Sequence, residues 1–96
     1  METKENEDTF HAIVRGRVQG VGFRFFVYRC ASSLKLNGAV RNLPDGSVEV
    51  RARGNRSSLK NLEEQLKKGP MLARVSNVET KWGLALEPIE GFQVID

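Results

Sequence analysis

Three glycines and an arginine between residues 16 and 24 form the first pattern that could do chemistry. Gly16, Gly20 and Gly22 precede Phe23 and Arg24. Glycines let consecutive peptide N–H groups turn into one concavity, which suits an oxyanion such as phosphate. A helix that begins at Phe23 aims its free N–H groups at the same place, and an arginine in its first turn can donate to two phosphate oxygens. The pattern indicates an anion site, although a structural glycine loop beside an exposed arginine would explain the same residues.

The remaining reactive side chains do not form an acid–base or nucleophilic pair. Cys30 belongs to an apolar helical stripe, which is typical of a buried thiol. His11 stands alone on a predicted strand, where a structural role is the simpler interpretation. One cysteine and one histidine cannot build a zinc site, and the glycine loop lacks the ending of a Walker motif. We therefore predict no zinc site and no nucleotide-binding Walker loop.

An anion site without an acid–base pair fits the hydrolysis of an acyl phosphate. The carboxylate leaving group of such a substrate departs without protonation, so water attack needs charge stabilisation and a correctly placed water. A neutral amide can place that water, because it both donates and accepts hydrogen bonds. Asn42, at the end of a predicted strand, is the best-placed amide.

Apolar periodicity predicts the elements that must position these residues. Strands are expected at residues 9–15, 39–43, 47–53, 73–82 and 92–95, with a bulge allowed in the fourth. One helix begins at Phe23, and a second begins after an N-cap at Asn55 or Ser57 and ends at Gly69. The order β-α-β-β-α-β, followed by a short final strand, predicts a ferredoxin-like α+β sandwich. In it an antiparallel sheet carries two helices on one face.

Length and charge favour one domain with an acidic N-terminal tail. The 96 residues carry a net charge of +3, and four acidic side chains against one lysine give residues 1–8 a charge of −3. We expect residues 1–8 to be a flexible tail and residues 9–96 a single domain with a charge of +6, suited to an anionic ligand. No apolar run approaches the roughly 18 residues that span a bilayer, and the polar N-terminus does not resemble a secretion signal. We expect a cytoplasmic monomer without a membrane or nucleic-acid partner.

Two segments resemble the signatures of the acylphosphatase family: residues 16–24, and residues 38–48 together with Gly54. The similarity covers residues 9–96 in the family's element order. It implies a ferredoxin-like fold and the hydrolysis of small acyl phosphates to a carboxylate and orthophosphate, with inorganic phosphate or sulfate as further ligands of the site and no cofactor or metal.

The resemblance also assigns roles to individual residues. Arg24 matches the arginine that binds the phosphate, and Asn42 matches the asparagine that orients the attacking water. A substrate oxygen takes the water's proton in this family, which agrees with the absence of a side-chain base. The phosphate is further held by main-chain N–H groups of the loop, contributed by Gln19, Gly20, Val21, Gly22 and Phe23.

Ala39 departs from the pattern, because the family usually has an aromatic residue there. Its small side chain is expected to change packing beside the site, and it motivates one alternative, a non-catalytic ligand-binding module of the same family. The other alternative is an RNA-recognition motif, which shares the element order. The run from Gly20 to Phe26 resembles its RNP1 sequence. That run follows the first strand, however, whereas RNP1 belongs on the third strand.

Overall fold

The computed structural model describes residues 7–87 and 89–96. Five strands and two helices follow one another in the predicted order. They are β1, Glu7–Arg17; α1, Phe23–Ser33; β2, Asn37–Asn42; β3, Val48–Asn55; α2, Arg56–Lys68; β4, Arg74–Trp82; and β5, Phe92–Ile95.

The sheet has the strand order β4-β1-β3-β2-β5. Its first four strands are antiparallel, as predicted for a ferredoxin-like fold. The fifth strand corrects one detail, because β5 runs parallel to β2 and makes the sheet mixed rather than wholly antiparallel. This follows from the connection of residues 83–91, which carries the chain from β4 at one edge to β5 at the other. Gly83 N donates to Thr9 O at one end of this connection, and Gly91 N donates to Asn37 Oδ1 at the other.

The core lies between the helices and one face of the sheet. Alternate residues of each central strand point to this face, and each helix adds a stripe at helical spacing. Burying such a leucine or phenylalanine stabilises the fold by about 1.5–3 kcal/mol. The fully buried large side chains include Phe10, Val14, Val50, Phe23, Val27, Leu59, Leu62 and Leu66.

Local signals in the sequence give the strand ends to within two residues. Asn55 is the N-cap of α2, because its Oδ1 accepts from Ser57 N at 2.9 Å. The allowed bulge is present, since Arg15 pairs with Asn77 while Gly16 pairs with Val75. Neither helix among the described residues is long and apolar enough to cross a membrane.

The predicted tail is too long at its C-terminal end. Glu7 and Asp8 lie in β1, where they pair with Asn55 and Gly54 of β3. Apolar alternation does not extend to these two polar residues, so it could not predict them as part of β1. They pair with β3 through backbone hydrogen bonds, which do not depend on their side chains. Residues 1–6 of the predicted tail lie outside the described residues.

Candidate active site

The loop between β1 and α1 is shaped by two glycines with positive φ. Gly20 has φ 74° and Gly22 has φ 77°, in the left-handed region that other residues rarely adopt. Val18 is 1% exposed and fixes the start of the loop in the core, and Phe23, 2% exposed, fixes its end. The glycine pattern therefore forms a tight turn held at both ends.

The N-terminus of α1 has no side-chain cap. Its N-cap residue is Gly22, and its first turn contains no acidic residue. The first intrahelical bond runs from Phe26 N to Gly22 O, at 3.0 Å. The N–H groups that precede Phe26 N in the first turn have no hydrogen-bond partner within the helix, as in any helix. In α2, by contrast, Asn55 caps the corresponding groups. The free N–H groups and the dipole of α1 therefore favour an anion at its N-terminus.

Gln19 connects the glycine loop to the hairpin between β2 and β3. Its Nε2 donates to Leu43 O and to Ser47 O, at 2.8 Å each. Both protons of the amide are thus used on two carbonyls of one turn. The sequence prediction assigned only the main chain of Gln19 to the site, and the structure adds this side-chain tether. A polar residue in an otherwise glycine-rich and apolar loop was the available signal.

The hairpin turn has its own hydrogen bonds. Gly46 N donates to Leu43 O at 3.1 Å, and Leu43 N donates to Ser47 O at 2.9 Å. Asp45 Oδ1 accepts from Ser47 N at 2.9 Å and from Ser47 Oγ at 2.5 Å. These two hydrogen bonds, the hydroxyl's first, lower the pKa of Asp45 below its ordinary value. The turn that receives Gln19 is therefore fixed locally.

Arg24 lies in the first turn of α1 and reaches the C-terminal end of β5. Its Nη1 donates to Ile95 O at 3.0 Å and lies 3.4 Å from Asp96 Oδ1. The side chain is 31% exposed, while that of Asp96 is fully exposed. The β5 carbonyl therefore orients one end of the guanidinium, and the remaining donors of the fork are available to a ligand.

Asn42 ends β2 with an amide oxygen that lacks a partner. Asn42 Oδ1 and Thr80 Oγ1 are the buried side-chain polar atoms without a hydrogen-bond partner among the described residues. Leaving such an atom unpaired costs about 1–3 kcal/mol, so it calls for an explanation. Asn42, unlike Thr80, lines the cleft that contains Arg24. Because that oxygen is buried, a rotation of the amide would be needed to pair it with a water or substrate group in the cleft.

One cleft of about 360 Å³ joins these features. It brings together Arg24, Asn42 and three of the five predicted loop residues. Gln19 and Val21 do not line it: the side chain of Gln19 turns to the hairpin, and that of Val21 packs against the core. The sequence analysis did not name Val18, Phe25 and Val94 as site residues. The cleft is lined by Val18, Gly20, Gly22, Phe23, Arg24, Phe25, Asn42 and Val94.

The histidine and the cysteine do not line this cleft, and Cys30 is half-buried instead of fully buried as its helical stripe predicted. His11 Nε2 and Glu49 Oε2 are 2.8 Å apart, and Arg41 Nε donates to Glu49 Oε1 at 2.6 Å. Burial raises the pKa of Glu49, but these hydrogen bonds together hold it below its ordinary value. Burial raises the pKa of the Cys30 thiol, so this group is less readily a thiolate. Residues 7–87 and 89–96 contain no cluster of three side chains suited to hold a metal ion.

Ala39 lies on the face of the sheet opposite the cleft. It is 2% exposed but lies outside the core cluster, whereas its neighbour Val40 belongs to that cluster. Because strand residues alternate between faces, Ala39 and Asn42 project to opposite sides of β2. The expectation that Ala39 alters packing directly beside the site is therefore wrong, because the sheet separates the two side chains.

The glycine–aromatic run does not lie on a strand. Residues 20–22 belong to the loop, and Phe23 and Phe26 belong to α1. The third strand, Val48–Asn55, contains no aromatic side chain that could stack on a base. The resemblance to an RNA-recognition motif therefore ends at the element order.

Known proteins with this sequence pattern share the fold and the family. The Acylphosphatase family model matches residues 10–94. The acylphosphatase of Thermus thermophilus is 53% identical over 75% of this chain and 82% of its own. That of Salinibacter ruber is 46% identical over 98% of both chains. The structure of an acylphosphatase from Coxiella burnetii superposes with a TM-score of 0.91 at 41% identity and covers 99% of each chain. With the ferredoxin-like fold and both sequence signatures in place, the chain belongs to the acylphosphatase family.

Proposed function

We propose that this protein is an acylphosphatase that hydrolyses small acyl phosphates at the cleft between the glycine loop and β2. Arg24 and the loop N–H groups bind the phosphate, and Asn42 orients the attacking water. The single observation that carries the proposal is the junction of the Arg24 guanidinium, an uncapped helix N-terminus and the amide of Asn42 at one cleft.

Phosphate binding relies on complementary charge rather than on a metal or a cofactor. The side chain of Arg24 can donate two parallel hydrogen bonds to phosphate oxygens, while the N–H groups at Gly20, Gly22 and Phe23 surround the others. These donors are fixed before the substrate arrives, because the loop is held by Val18, Phe23 and the Gln19 tether. Preorganised donors stabilise the charge that spreads over the phosphoryl oxygens in the transition state.

Water attack at phosphorus completes the reaction. The terminal torsion of Asn42 has a broad minimum, so a rotation of the amide turns its oxygen to a water in the cleft. The water oxygen forms a bond to phosphorus as the bond from phosphorus to the acyl oxygen breaks. The carboxylate leaves with that electron pair, and a phosphoryl oxygen takes the water proton. The products are a carboxylate and orthophosphate.

Hydrolysis of benzoyl phosphate by the purified protein tests the activity. We expect turnover that inorganic phosphate inhibits competitively. Absence of turnover by the wild type would reject the hypothesis of an active enzyme. The alternative, a non-catalytic ligand-binding module, would then remain, although no observation in the structure favours it.

Two variants separate phosphate binding from water placement. Arg24→Ala should abolish turnover and phosphate inhibition together, because both need the guanidinium. Asn42→Ala should lower kcat by about 100-fold or more while phosphate inhibition is largely kept. If Arg24→Ala keeps the wild-type inhibition constant, the phosphate site lies elsewhere. Weak inhibition in Asn42→Ala would instead make Asn42 a phosphate ligand.

The proposal also includes a monomeric state and a location in the cytoplasm. One free cysteine, Cys30, is compatible with a reducing compartment. Light scattering coupled to size-exclusion chromatography tests the monomer, and fractionation of cells of the source organism tests the location. A nucleic-acid partner is not expected, since the described third strand has no aromatic residue.

A further inference from the structure

We propose that Phe25 and Val94 form an apolar platform for the acyl group, so that the protein favours acyl phosphates with an aromatic acyl group. This inference rests on the proposed function, because it assumes that the phosphate occupies the cleft at Arg24. Phe25 and Val94 line that same cleft.

Both side chains are apolar and exposed. Phe25 is 60% exposed and Val94 is 43% exposed, although the core lies close by. Exposed apolar side chains that adjoin a polar cleft are a typical feature of ligand sites, where a few polar groups fix the ligand and apolar groups cover the rest. The apolar area of the platform is therefore placed where a ligand can cover it.

The ring of Phe25 is held in place by its own helix. Tyr28 stacks on it with 6.2 Å between ring centroids and 19° between planes. The guanidinium carbon of Arg29 lies 5.9 Å from the centroid of the Phe25 ring. These residues stand at positions i, i+3 and i+4 of α1 and share one helix surface. A ring restrained in this way loses little conformational freedom when a ligand binds.

Val94 approaches the same place from the sheet. Phe92 is buried in the core, so strand alternation directs Val94, two residues later, to the side of the sheet that carries α1. The next residue, Ile95, supplies the carbonyl that binds Arg24. Phe25 therefore follows Arg24 directly in the sequence, and Val94 directly precedes Ile95, whose carbonyl orients Arg24.

This adjacency determines which part of the substrate meets the platform. The acyl group is joined to the phosphate through one oxygen, so it must lie within a few bonds of the guanidinium. A benzoyl ring can lie against Phe25 and Val94, whereas an acetyl group offers a single methyl. An aromatic contact at such a site changes the free energy enough for about a 2- to 10-fold preference.

The specificity ratio tests the platform. It is kcat/KM for benzoyl phosphate divided by kcat/KM for acetyl phosphate, corrected for the uncatalysed hydrolysis of each. We expect the wild type to favour benzoyl phosphate. Phe25→Ala should lower the ratio by about 2- to 10-fold, Val94→Ala should lower it less, and Phe25→Tyr should restore it because the ring is kept.

Met71→Ala is the matched control, since Met71 is 97% exposed and does not line the cleft. Its ratio should equal that of the wild type. An unchanged ratio in Phe25→Ala, or an equal fall in Met71→Ala, would overturn the platform. A wild type that hydrolyses acetyl phosphate without any preference for benzoyl phosphate would also overturn it and leave the proposed function intact. Failure to hydrolyse either substrate would reject the proposed function, and this inference with it.

Discussion

Removing the Gln19 amide should disconnect the phosphate loop from the hairpin that carries Asn42. The loop and the hairpin are joined by two hydrogen bonds of 2.8 Å from Gln19 Nε2, to Leu43 O and to Ser47 O. Gln19→Ala removes both side-chain donors at once, while Leu43 O keeps its bond from Gly46 N and Ser47 O keeps its bond from Leu43 N. Gln19→Glu is the sharper change, because it keeps the shape but sets a carboxylate against two carbonyl oxygens.

The size of the effect follows from these two bonds. A hydrogen bond of this kind contributes about 0.5–1.5 kcal/mol net, so Gln19→Ala should lower the free energy of unfolding by about 1–3 kcal/mol. If the whole amount were also lost from the transition state, kcat/KM would fall by roughly 5- to 150-fold, since about 1.4 kcal/mol corresponds to a factor of ten. Because misplacement affects water attack more than phosphate binding, the loss should fall mainly on kcat.

Urea unfolding and benzoyl phosphate kinetics measure the two quantities on the same variants. Gln93→Ala is the matched control, since Gln93 is an exposed glutamine on β5 that does not line the cleft. Gln19→Glu should lose more activity than Gln19→Ala at neutral pH. The positioning role would be refuted if both Gln19 variants kept kcat within about twofold of the control while unfolding at lower urea.

Two further predictions concern carboxylates near the site. The hydrogen bonds from Ser47 lower the pKa of Asp45 in the folded protein, so their stabilisation is fully present above the ordinary value of 3.8 and is lost as pH falls through the folded value. Asp45→Asn should therefore be less stable than the wild type in urea at pH 7, with a difference that shrinks towards pH 2; a constant difference would contradict this cause. Asp96→Asn removes a carboxylate 3.4 Å from Arg24 Nη1 and should tighten phosphate inhibition by less than about fivefold, most clearly at low salt. Weaker inhibition in that variant would mean that Asp96 orients Arg24 instead of competing for it.

The fold was predictable because each element carries a local signal. The apolar stripe of α2 at Leu59, Leu62 and Leu66 is buried as its spacing predicts. Asn55 caps that helix, and glycines end the loop before α1. The direction of β5 was not predictable in this way, because it depends on how the connection of residues 83–91 crosses the sheet. Apolar periodicity predicts which residues of a strand face the core, but it does not predict which strand lies beside it or in which direction that strand runs.

The candidate site was predictable where chemistry and spacing coincide. Arg24 and Asn42 lie in one cleft, as their residue types and the family resemblance indicated. The Gln19 tether was missed, because a side-chain bond to carbonyls 24 and 28 residues away leaves no periodic trace. The position of Ala39 was misjudged for a related reason: nearness in sequence to Asn42 does not reveal that the two side chains project to opposite faces of β2.

A crystal structure with inorganic phosphate bound tests the central claim most directly. The account predicts a phosphate in the cleft, with oxygens about 2.7–2.9 Å from Arg24 and loop N–H groups and a water on the amide of Asn42. A phosphate bound away from Arg24, or held directly by Asn42, would contradict it.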